Sequence, residues 1–131
     1  MRIVRTRSLT GALPTLALLV ALVAVLALVG CAATVPTTPP GITGSVTSLV
    51  PGDERPASML VEGGAQPAGA VSDKAQVTID PGTMFFDAEG TPTKAAGIAV
   101  GTEVRVWFNG PVAESYPVQG TAQAVQILGM Q

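Results

Sequence analysis

Apolar and polar positions divide the chain into three stretches of different pattern. Arg2, Arg5 and Arg7 precede Leu16–Val29, fourteen consecutive Ala, Val or Leu residues. Nine residues of Ala, Thr, Val and Pro follow, at 32–40. From Gly41 onward, short runs alternate with period two between Gly/Pro breaks, which is the pattern of half-buried strands. Ile42–Val50 places Ile42, Val46 and Val50 on one face. Pro51–Pro56 is a turn, and Ser58–Glu62 a second strand. Gly63–Ser72 reads as a mobile Gly/Ala loop. Lys74–Asp80 follows with Ala75, Val77 and Ile79 inward, and Thr83–Phe86 adds a short strand. Residues 93–99 allow one helical turn, since Gly97 opposes more. Glu103–Asn109 points Val104, Val106 and Phe108 one way and Glu103, Arg105 and Trp107 the other. Gly120–Leu128 closes the chain with Val125 and Ile127 on one face. An open sheet of this size leaves one side wet, whereas closure removes exposed edges. Three strands, an irregular connection and two more strands predict an all-β, OB-like five-stranded barrel over residues 41–131.

The N-terminal stretch predicts a compartment. Fourteen helical residues span about 21 Å, short of the ~30 Å bilayer core, and fit a secretory signal over residues 1–30. Leu28-Val29-Gly30-Cys31 resembles the lipobox of bacterial lipoproteins. That resemblance implies cleavage before Cys31, two or three acyl chains on it, and a membrane anchor with the domain outside the cytoplasm. The small Ala32 and Ala33, where such proteins carry Asp for inner-membrane retention, imply that it faces outward in its envelope. Residues 31–40 then hold the lipidated Cys and a Pro/Thr tether, either a polyproline spacer reaching about 28 Å or a segment with no spacing role.

Composition narrows the chemistry. There is no His, and Cys31 is the only Cys, so His/Cys metal sites, Ser-His-Asp catalysis and disulfides are excluded. Losing Arg2, Arg5 and Arg7 leaves four basic against nine acidic residues, a net of −5. That balance disfavours nucleic acid and anionic headgroups. Asp80, Asp87 and Glu89 lack calcium-loop spacing, and Glu103 and Glu114 form an acid–base pair only if folding joins them. No cofactor is expected.

Val104–Ala122, with its Val-x-Val-Trp-aromatic strand, Gly110 turn and Glu114-Ser115-Tyr116-Pro117-x-Gln119 segment, resembles the C-terminal signature of a YobA-like family. Those small bacterial lipoproteins carry a domain of unknown function, so the resemblance implies an envelope β-barrel with no established activity. Tyr116, held extended before Pro117, is either a corner device pinning its loop or a ligand contact. Ser115 and Glu114 are placed to accept backbone N–H bonds beside it. Trp107 is either a stacking platform for a sugar or peptide, or packing mass for a small barrel. The expected function is a non-catalytic binding module. Its candidate contacts are Asp53, Glu54 and Arg55 in one loop and Glu114, Ser115 and Tyr116 in another, at one acidic barrel mouth. That rim suits a cationic or polar partner, an extracellular peptide or protein. The competing readings are a carboxylate-based hydrolase or carbohydrate-active enzyme, and a purely structural envelope protein.

Overall fold

The computed structural model describes residues 33–130 together with Val20; Cys31 and the signal segment lie outside the described residues. Residues 33–130 are all-β, with a single 3₁₀ turn at Ala95–Gly97. The strands are β1 (Ile42–Val50), β2 (Ser58–Glu62), β3 (Lys74–Thr78), β4 (Met84–Phe86), β5 (Pro92–Thr93), β6 (Thr102–Phe108) and β7 (Val118–Met130). They pair in the order β3-β2-β1-β6-β7-β4-β5, and a parallel β3–β7 contact closes five of them into a barrel. The closed strands run first, second, third, fifth, fourth and back to the first. This is the OB connection, and β4 and β5 are two extra strands in the link before β6.

The core follows the alternation. Ile42, Val46, Met59, Val61, Ala75, Val77, Val104, Val106 and Val125 are each at most 1% exposed and fill the barrel. One expected position fails. The β1–β2 register slips between Val46 and Ser48, so Thr47 is an extra residue. A one-residue bulge exchanges the faces beyond it. Leu49 therefore packs on the core, and Val50 is 50% exposed. Gly44 sits where β1 turns from pairing β6 to pairing β2, and a Cβ there would strike the Glu62 backbone.

The loop at 63–72 is tied down rather than free. Beyond the end of β2, the Gln66 side chain stands in for a strand. Its Oε1 accepts from Thr43 N at 2.9 Å and its Nε2 donates to Thr43 O at 2.8 Å. Val71 N donates to Gly41 O at 2.8 Å. A strand's missing ladder partner is thus replaced by an amide side chain, which alternation cannot reveal.

Trp107 and Phe86 form no part of the barrel interior, yet both are buried, at 6% and 1% exposure. Their neighbours Val106 and Phe85 point into the core, so both rings lie on the outer surface of the β6–β7–β4 sheet. At Trp107 the chain at 34–40 lies over this surface. Trp107 Nε1 donates to Thr38 O at 2.8 Å, and Thr34 onward belongs to the same compact unit as the barrel. The polyproline reach expected for the tether is therefore not realised from Thr34 to Pro40, because an indole N–H and an apolar surface hold it down.

Two outcomes are expected. Emission of the chain's one tryptophan is blue-shifted and poorly quenched by iodide; free quenching would contradict the cover over Trp107. Thr83 is 5% exposed and its hydroxyl donates to Ala122 O at 2.7 Å. Thr83→Val leaves that carbonyl unpaired, a cost of about 1–3 kcal/mol. In a domain this small each kcal/mol lowers Tm by roughly 4–8 °C. An unchanged Tm in thermal circular dichroism would refute the assignment.

Candidate functional site

The two loops expected to share a mouth lie at opposite ends of the barrel. Residues 51–57 follow the end of β1. Residues 109–117 follow β6, which runs antiparallel to β1 with Ile42 opposite Val106, so they emerge beside the start of β1. Contacts agree. Arg55 Nη1 reaches Thr83 O at 3.3 Å at one end, while Tyr116 Oη reaches Asp73 Oδ1 at 3.3 Å at the other. Asp53, Glu54 and Arg55 are brought together, as are Glu114, Ser115 and Tyr116, but the two sets are not. A single acidic rim is not formed.

At the Tyr116 end the loop is shaped by its own backbone. Ala113 N donates to Gln119 O at 2.8 Å, and the Tyr116–Pro117 peptide is cis. Ser115 Oγ donates to Pro117 O at 2.8 Å, rather than accepting an N–H as expected. The Tyr116 hydroxyl pins the loop to Asp73, as a corner device would, and the residue is 71% exposed. Glu114 is exposed beside it. Nearby, Lys74 Nζ lies 3.0 Å from a Glu62 carboxylate oxygen. A hydrogen bond from the Thr47 hydroxyl, and then Lys74, hold the Glu62 carboxyl below its ordinary range. The hydrogen bond and charge of Glu62, with smaller help from Tyr116 and Asp73, hold Lys74 above its own. Trp107 offers no open platform for a sugar or peptide, because its ring is covered. Arg105 turns toward Gln126 Oε1 at 3.3 Å.

The other end carries the concavity. A groove of about 670 Å³ runs between the 51–56 loop and the β4–β5 pair. Glu54, Arg55 and Lys94 supply its charges; Met84 and Pro92 supply its apolar surface. Thr83 joins the two walls. Its carbonyl accepts from Arg55, while its hydroxyl donates to Ala122 O and accepts from Asp80 N at 3.1 Å. A shallower hollow of about 440 Å³ places Asp53 and Glu54 beside Asp80 and Pro81. Glu54 and Arg55 were legible as turn residues. Met84, Pro92 and Lys94 were not, since they meet the loop only because β4 pairs with β7. Among the described residues no three Asp, Glu, His or Cys side chains gather as a metal site.

The Glu62–Lys74 pair gives the Tyr116 end a pH signature. A lowered carboxyl contributes stability fully above 4.5 and loses it as pH falls through the folded value. A raised ammonium contributes fully below 10.5 and loses it as pH rises through the folded value. Glu62→Gln is expected to destabilise slightly at neutral pH, with the gap from wild type closing on the acid side and in ~1 M salt. A gap independent of both, in urea titrations across pH, would contradict the pairing.

The search for relatives places the chain without assigning it a role. No curated protein matches it, and neither does any solved structure. One family model, described as protein of unknown function (DUF3221), matches residues 57–129, from just before β2 almost to the end of β7. That span covers more than half of the chain and holds the groove's Thr83, Met84 and Lys94 as well as Tyr116, so the chain belongs to the DUF3221 family.

Proposed function

We propose that the chain is a bacterial envelope lipoprotein of YobA-like type, anchored through Cys31, whose barrel is a non-catalytic binding module. The groove between the 51–56 loop and β4–β5 is its binding site. One observation carries the choice of site. The groove's volume of about 670 Å³ falls in the range of roughly 300–1,000 Å³ typical of small-molecule and cofactor sites. Its lining is about half polar, and Glu54, Arg55 and Lys94 are the charges that converge on it. A peptide end or a polar small ligand fits these dimensions. The hydrolase reading has less support there, because paired acid–base work needs two carboxylates and, among the described residues, Glu54 is the one lining the groove, with Asp53 and Asp80 in the adjoining hollow. Glu114 lies at the opposite end of the barrel.

The anchoring part rests on the arginines at 2, 5 and 7, the Leu16–Val29 run and the Leu28–Cys31 tetrad, in that order. Two acyl chains suffice for stable attachment. Cys31→Ala is expected to release the chain from the membrane fraction after a high-salt wash, and retention would contradict lipid anchoring. For the site, a photoreactive residue replaces Met84 in intact cells, with Gly64 and Tyr116 as comparison positions. Capture of one species at Met84 and not at Gly64 supports the groove. Capture at Tyr116 alone moves the binding surface to the other end, and equal capture at every position refutes a specific site.

A further inference from the structure

Resting on the groove as the binding site, we infer that it takes a ligand whose carboxylate is held by Arg55 and Lys94 and whose apolar body lies on Met84 and Pro92. The distribution of positive charge carries the inference. Residues 33–130 hold four basic side chains, Arg55, Lys74, Lys94 and Arg105, against nine acidic ones. Lys74 is engaged by Glu62 and Arg105 by Gln126. The other two line the same groove, where Glu54 is the one carboxylate. The groove's lining therefore carries two positive charges against one negative in a domain whose net charge is negative, with Asp53 and Asp80 in the adjoining hollow that Glu54 and Arg55 also line.

Arg55 is poised for this role. Its Nη1 is bonded to Thr83 O, which orients the guanidinium and leaves its remaining N–H groups for a carboxylate. An oriented guanidinium loses less freedom on binding than a free one. Glu54 in the lining, with Asp53 and Asp80 in the adjoining hollow, disfavours a second negative charge, so a ligand of net charge near −1 is selected. Met84, 42% exposed, offers a flexible thioether for an apolar group of variable shape. Recognition by strand addition is disfavoured. β5 is the sheet's outer strand, and Pro92 lacks the N–H that a further strand would need.

The test uses the full chain purified in detergent, with N-acetylleucine as the carboxylate probe and leucinamide as its cationic counterpart, followed by amide chemical shifts. N-acetylleucine is expected to give saturable shifts confined to residues 54–55, 83–85 and 93–95, with leucinamide giving none there. Arg55→Gln is expected to weaken binding roughly tenfold or more, the scale of a charge-assisted hydrogen bond. Lys94→Gln, on an exposed side chain, serves if Arg55→Gln disturbs the fold. Equal or stronger shifts with leucinamide overturn the inference while leaving the groove a binding site. Shifts elsewhere, or none, also overturn it, and capture at Met84 then judges the groove separately.

Discussion

One edge of β7 is shared between two partners, and the rest of the molecule depends on how that edge is divided. Val118–Thr121 pairs in parallel with β3 and closes the barrel; Ala124–Gln126 pairs in parallel with β4 and carries the added strands. Between them the Ala122 carbonyl would be left without a strand. The Thr83 hydroxyl takes its place, at a distance of 2.7 Å from a residue 1% exposed. An unpaired carbonyl buried there would cost about 1–3 kcal/mol, a large share of the roughly 5–15 kcal/mol that holds a domain folded. Thr83 therefore joins barrel closure to the placement of β4. Through its own carbonyl it also holds Arg55, and with it the loop that forms the groove's other wall.

The outer face of the same sheet follows from this division. Because β4 lies beside β7, Phe86 is set beside Gln126, next in the ladder to the Ala124 that faces Trp107. A small second layer of apolar surface results, and residues 34–40 lie over its Trp107 end. The turn after β4 closes over Gln126, whose Nε2 donates to the carbonyls of Asp87 and Ala88. A chain with 4% aromatic residues thus places its only tryptophan outside the barrel, as the base for its N-terminal segment.

Much of the barrel was legible because burial with period two is a local signal. β1 and β2 begin and end at the residues that alternation marks, and β3 and β6 differ by one or two. The failures have a common physical origin in events between segments distant in sequence. The bulge at Thr47 reverses Leu49 and Val50, and no residue at that position announces it. Trp107 alternates outward as expected, yet is buried by residues nearly seventy positions earlier. The two candidate loops were placed together from the habit of the fold, although β6 running antiparallel to β1 separates them. The groove was illegible for the same reason: Arg55 and Lys94 line one groove only because β4 pairs in parallel with β7, and that pairing leaves no trace in either segment.

The central claim is that Thr83 makes β4 and the groove wall part of the barrel's own cooperative unit. Native-state hydrogen exchange on the full chain tests it, with opening free energies read for the amides of β3, β4 and β7. The account predicts that β4 opens with the same free energy as β3 and β7, and that all three fall together in Thr83→Val. Exchange of β4 through a separate opening far below that of β3 would contradict it, since the groove wall would then be an appendage that the barrel does not hold.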